Sequence, residues 1–163
     1  IYFPKLEIPV GEELIQIAAS GPDSPWKPIM QMYFSMIATA QESIYLTTPY
    51  FIPNESILTA LKNAALSGLD VRIIIPGKPD NRFVFWASFS YLKDLLPAGV
   101  RVYQYQKGFI HSKTLIVDSL ISSVGTANLD RRSFNLNYEV NAFLYSQKIA
   151  QRLVNDVFRN RCS

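Results

Sequence analysis

Apolar positions along the chain recur at two spacings, every second residue and every third or fourth, and the switches between them lay out the elements. ELIQIAAS (13–20) alternates as a strand does and ends at the turn signal SGPDSP. From Pro28 the spacing lengthens. Ile29, Met32, Tyr33, Met36, Ile37 and Ala40 share one helical face, and Pro28 suits a first-turn position. SIYLTT (43–48) is a strand that runs into TPYFIP, and ESILTALKNAALSG (55–68) is an amphipathic helix with Asn54 as N-cap and Gly68 as its stop. DVRIIIPG (70–77) is almost continuously apolar, as a strand covered on both faces must be. A helix follows over about 82–96, then a strand at GVRVYQYQ (99–106). TLIVD and LISSVG predict two short strands around a turn at Asp118 and Ser119, YEVNAFLYS (138–146) another strand, and QKIAQRLVNDVFRN (147–160) a closing helix.

Strands alternating with helices predict an α/β sandwich, its sheet mixed but mainly parallel, with antiparallel pairs toward the C-terminal half. Residues 1–12 read as a linker or irregular arm and 13–163 as a single domain, with no internal repeat. The length of 163 residues is enough to bury a sizeable core, and 48% hydrophobic against 18% charged residues describes a globular chain. A net charge of +3 is consistent with an anionic ligand, but too weak to indicate a nucleic-acid partner, and none is expected. The one cysteine, Cys162, builds neither a disulfide framework nor a thiolate metal site within the chain. The start IYFPKLEIPV and the ending FRNRCS read as cuts from a longer protein. The most apolar stretch, FVFWASFSYLKDLL (83–96), is too short and too interrupted to cross a bilayer, which places any membrane anchor outside this chain.

The chain's only histidine opens the stretch HSKTLIVDSLISSVGTAN (111–128). If 110–117 is extended, His111 and Lys113 project from one face, because side chains two apart do so. An imidazole beside an ammonium is a poor structural pair. It makes sense if both address an anion, lysine as a point charge and histidine as nucleophile or proton carrier. Asn128 follows the turn GTAN and its amide can donate to the same anion, while Gly125 permits close backbone approach. A carboxylate from Glu139 on one imidazole nitrogen would fix the tautomer and raise the basicity of the other. A lone histidine at the edge of an apolar strand is more often a satisfied core residue. HxK alone hardly changes that, whereas HxKxxxxD followed by GTxN is far more specific. A metal is not expected, since one histidine beside an ammonium with no nearby cysteine makes a poor set of ligands.

HSKTLIVD with GTAN resembles the HxKxxxxD signature of the phospholipase D superfamily. SGPDSPWKPI, LTTPYFIPNESILTALKNAALSGLDVRIIIPGKPDN and SVGTANLDRRSFNLNYEV extend the likeness over nearly the whole chain from about residue 14, and resemble the second catalytic half of the bacterial cardiolipin synthases within that superfamily. The resemblance implies a metal-free and cofactor-free phosphatidyl transfer. One phosphatidylglycerol passes its phosphatidyl group to the hydroxyl of another through a phosphohistidine, giving cardiolipin and glycerol. It implies catalytic roles for His111, Lys113, Asp118 and Glu139. His111 would attack phosphorus or serve as the acid for the leaving alkoxide. Lys113 and Asn128 would hold non-bridging phosphate oxygens, with a lesser contribution from Thr126, and Glu139 would orient the histidine. Asp118 would be the motif aspartate, structural rather than a proton carrier.

Enzymes of that superfamily set two such motifs across a pseudo-twofold axis, so one histidine is half an active site. The other half would come from a preceding domain of the same protein or from a second copy. Since the first motif usually supplies the nucleophile, His111 is favoured as the general acid. The implied partners are an anionic phospholipid, that second half and a membrane surface, and the implied place is the cytoplasmic side of the cell membrane. The rivals are a phospholipase D-type hydrolase or a phosphodiesterase nuclease, both active as dimers, and an inert phosphate- or partner-binding module. In TPYFIP, Tyr50 and Phe51 would either touch lipid or pack as loop aromatics. The 83–96 segment reads as a buried helix, part of which could meet lipid at the mouth of the site. Arg131 and Arg132 would attract a headgroup or simply be solvated.

Overall fold

A computed structural model describes residues 11–78 and 80–159. Its elements are β1 (Ile15–Ser20), α1 (Pro28–Ala38), β2 (Ser43–Thr47), β3 (Phe51–Ile52), α2 (Glu55–Leu66), β4 (Asp70–Pro76), α3 (Arg82–Leu95), β5 (Arg101–Tyr105), β6 (Thr114–Val117), β7 (Ile121–Gly125), β8 (Leu129–Asp130), α4 (Arg131–Asn135), β9 (Glu139–Leu144) and α5 (Gln147–Val154). Most of the expected arm and Cys162 lie outside the described residues.

Local chemistry sets the ends of these elements. Asn54 caps α2 by accepting from the Ile57 amide at 3.2 Å, and Gly68 follows the helix with φ of +91°. Asn81 accepts from Phe83 and Val84 at the start of α3, and Ser146 accepts from Ile149 at the start of α5. Asp118 and Ser119, with φ of 54° and 53°, turn β6 into β7, and the Leu120 amide closes on Val117 O at 3.0 Å.

Seven strands form one sheet in the order β1-β9-β7-β6-β2-β4-β5. Only β2–β4 and β4–β5 are parallel; the other four ladders are antiparallel. The expectation of a mainly parallel sheet is therefore corrected to a mixed one in which antiparallel pairs predominate. A continuous apolar run reports that both faces are covered, not which way the neighbour runs. β6 is such a run, yet it lies antiparallel to β2 and β7. The main core unites Ile29, Tyr33 and Ile37 of α1 and Ile57 and Leu61 of α2 with Leu46, Ile73, Leu115 and Phe143 of the sheet. A smaller cluster holds Ile74, Ile110 and Val157, the last from a π-helical turn after α5.

The ladder registers decide what meets at each end of the sheet. Thr47 at the end of β2 pairs with Thr114 at the start of β6, and the Gly125 amide at the end of β7 donates to the Lys113 carbonyl. Hence the segment entering β6, the segment leaving β7 and the start of β9 share the C-terminal end of the parallel strands, where open α/β sheets place their ligands. Asp118 lies at the opposite end. Its carboxylate accepts from the amides of Gln41, Glu42 and Ser43 at 2.9, 2.8 and 2.8 Å, tying the β6–β7 turn to the start of β2. Asp118→Ala removes all three bonds and leaves an alanine at positive φ. We expect a loss of about 2–3 kcal/mol, read as a lower denaturant midpoint, with Asp118→Asn milder because asparagine tolerates that backbone. An unchanged midpoint for the alanine variant would remove this role.

Candidate active site

His111 and Lys113 precede the ladder of β6, and the structure separates their side chains by environment. The imidazole is exposed, and its ring contact is with Phe109, centroids 5.6 Å apart. Lys113 is buried, 8% exposed, and its Nζ donates to the carbonyl of His111 at 2.7 Å. The ammonium thus braces the backbone that carries the imidazole. Burial pushes the Lys113 pKa down, opposed by the nearby charges of Glu139 and then Asp130.

Glu139 begins β9 and is buried, with Asn137 Nδ2 donating to its Oε1 at 3.1 Å. It faces Lys113 electrostatically, and within the described residues no hydrogen bond joins it to the imidazole. Asn128 lies between β7 and β8. Its backbone amide donates to Ser133 Oγ at 3.2 Å, while its buried Oδ1 has no partner among the described residues. An amide left uncommitted in a buried place is equipped to take a ligand oxygen or hydroxyl. Thr126 is employed differently. Its Oγ1 accepts from the Val140 amide at 2.9 Å and its own amide donates to Val140 O at 3.0 Å, so the side chain continues the β7–β9 ladder. Lys113, Asn128 and Glu139 therefore gather at one end of the sheet with His111, Thr126 is held beside them by β9, and Asp118 stands at the other end.

Sequence reasoning passed over Asp130. It is buried, caps α4 by accepting from the Ser133 amide at 2.7 Å, and adds charge beside Lys113. The signal was present in LDRRSF, an aspartate three residues before a serine at a helix start. Also unforeseen is the two-stranded sheet of β3 and β8, which lays TPYFIP alongside GTANLD, with Thr48 Oγ1 accepting from the Leu129 amide at 3.3 Å. That pairing buries Phe51 completely, so Phe51 is a packing residue. Tyr50 instead reaches a cleft and donates its hydroxyl to Asp80, and this bond first of all pushes its pKa up to about 12. Arg131 and Arg132 are exposed on α4 and line the same cleft.

α3 departs from the expectation of a buried helix. It buries Ser88, Leu92 and Leu95, but Phe83 and Trp86 stand 89% and 69% exposed. An aromatic-rich segment has no period that separates the two cases. Among the described residues, no helix is long and apolar enough to cross a membrane, and no group of His, Cys, Asp or Glu is placed to hold a metal ion.

The fold is that of the phospholipase D class. Nuc from Salmonella typhimurium, described as a phospholipase D family member, superposes with a TM-score of 0.76 at 23% identity over 92% of this chain and 94% of that one. Residues 33–161 match the family of the cardiolipin synthase, PLD-like domain, and the chain belongs to that family. It is 54% identical over 153 residues to a cardiolipin synthase of Geobacillus thermodenitrificans and 58% identical over 142 residues to cardiolipin synthase 2 of Bacillus anthracis, covering 94% and 87% of this chain. The chain spans 30% and 28% of the length of those two relatives.

Proposed function

We propose that this chain is the C-terminal catalytic half of a cardiolipin synthase, a phosphatidyltransferase joining two phosphatidylglycerol molecules. The observation that carries the reading is the grouping of exposed His111, buried Lys113 and uncommitted Asn128 at one end of the sheet. That grouping presents a proton carrier beside a cation and an amide, which is what a phosphodiester in reaction needs. Lys113 and Asn128 hold non-bridging oxygens and neutralise the charge that develops there. Thr126 lends a backbone-braced edge to the same cradle, Glu139 balances the buried ammonium, and Asp118 holds the fold.

A histidine of the other half, from a preceding domain or a second copy, supplies the nucleophile. Its imidazole nitrogen bonds to phosphorus as the bond to the headgroup glycerol oxygen breaks, and His111 gives that oxygen its proton. In the second step the hydroxyl of another phosphatidylglycerol bonds to phosphorus. The phosphorus–nitrogen bond breaks with its electron pair returning to the imidazole, and the hydroxyl proton goes to His111. Phe83 and Trp86, exposed on α3, support work at a membrane surface.

The test uses labelled phosphatidylglycerol in vesicles with the full-length protein and, separately, with residues 1–163 as a monomer. Full-length protein forms cardiolipin and free glycerol in equal amounts, whereas the monomeric chain turns over nothing, because it holds one histidine in all. Sustained cardiolipin formation by the monomer would refute the half-site.

A further inference from the structure

Beside the phosphate cradle lies a cleft of about 580 Å³ whose lining includes Tyr50, Asp80, Asn81, Asn128, Arg131 and Arg132. Its chemistry is uneven. Arg131 and Arg132 give it two cations, Asp80 and Asp130 give it two carboxylates, and Asn128 belongs to the cradle itself. Tyr50 and Asp80 form a donor–acceptor pair through the phenol hydroxyl, and this bond first of all pushes the Tyr50 pKa up to about 12. The Oδ1 of Asn81 is spent on capping α3, at 3.0 Å from Phe83 N and 3.3 Å from Val84 N. That leaves its amide hydrogens as donors.

Carboxylate and phenol-oxygen acceptors beside the amide donors of Asn81 match a group whose hydroxyls each donate and accept, a small polyol. Position points the same way, for Asn128 is common to the cleft and the cradle. A glycerol whose oxygen is bonded to the held phosphorus, or about to be, therefore has the cleft as its nearest room.

We propose that this cleft is the alcohol pocket of the half-site: Asp80, steadied by Tyr50, accepts a hydrogen bond from the glycerol hydroxyl next to the reacting oxygen, and so selects glycerol-type acceptors over simple alcohols. The inference rests on the phosphatidyl-transfer reading and adds the residues that choose the alcohol. In the first step the pocket would hold the departing glycerol of the donor. In the second it would hold the headgroup glycerol of the acceptor.

The experiment separates acceptor choice from everything before it. Full-length protein is given phosphatidyl-p-nitrophenol in mixed micelles, with glycerol and 1-propanol at equal concentration. The measured quantity is the ratio of phosphatidylglycerol to phosphatidylpropanol at early times, before phosphatidylglycerol is itself consumed, and this initial ratio depends neither on the first step nor on the amount of active protein. Wild type favours glycerol. Asp80→Asn and Asp80→Ala lower the ratio about tenfold, the loss expected for one hydrogen bond to a charged group, and Tyr50→Phe lowers it by a smaller factor. A ratio within twofold of wild type in both Asp80 variants, with transfer otherwise normal, overturns the pocket and leaves the transferase reading standing. A wild-type protein that transfers to neither alcohol and makes no cardiolipin overturns both.

Discussion

Replacing His111 by alanine in the full-length protein lowers cardiolipin formation from phosphatidylglycerol by at least about a thousandfold, the range of a lost general acid–base group. The imidazole is exposed and, among the described residues, its ring contact is with Phe109, so the substitution leaves no buried gap and the melting temperature should hold. Its role can be read from the leaving group. A glycerol alkoxide is a poor leaving group and needs a proton as it departs. A p-nitrophenolate departs without one. If His111 is the acid, p-nitrophenol release from phosphatidyl-p-nitrophenol survives far better in the variant than glycerol release does. If His111 is the nucleophile, both releases fall together, because no phosphohistidine forms. Normal cardiolipin synthesis would remove His111 from the site altogether.

The reading of His111 and Lys113 shows where sequence periodicity serves and where it stops. Alternation placed both residues on the strand entering the core, but β6 begins only at Thr114, and what ties the segment before it to the end of β7 is the Gly125 amide donating to the Lys113 carbonyl. It did not foresee that Lys113 would turn its ammonium onto the carbonyl of His111, because that choice depends on the depth at which the strand enters the sheet. The long elements were legible for a general reason: α2 and β4 each carry enough turns or pleats for a period to declare itself. β3 and β8 are two residues each, too short for any period, and exist because two loops meet. Their pairing decides that Phe51 is buried while Tyr50 faces the cleft, a distinction absent from TPYFIP as a string. The ends of the motif were hardest to place. Separated by one short strand, His111 and Asp118 belong to opposite ends of the sheet, and only the second is tied to backbone amides.

Gly125→Ala should be the most damaging single-methyl change near the site, costing on the order of 3 kcal/mol. Close backbone approach at this glycine was expected for the sake of a bound anion. The structure gives it a different neighbour: a Cβ here would run into the side-chain amide of Asn141 and the carbonyl of Val140. Neither has room to move. Asn141 is fully buried, donates to Tyr33 Oη at 2.9 Å and Ser123 Oγ at 3.0 Å, and accepts from the Ala127 amide at 3.2 Å. That last bond fixes the residue before Asn128. A methyl at 125 must therefore push apart β7 and β9 or break the bonds of Asn141, and either movement carries Asn128 away from Lys113. The expected result is a melting temperature lower by roughly 6–12 °C and a loss of transfer activity even at temperatures where the variant remains folded. Coupling tells whether the contact is the cause. Asn141→Ala alone destabilises by losing its three bonds, yet it makes room for the new methyl. The double variant should then be clearly less damaged than the sum of the two singles. Additive losses, or a Gly125→Ala protein that melts within a degree or two of wild type, would mean that the glycine is not held against Asn141 in this way.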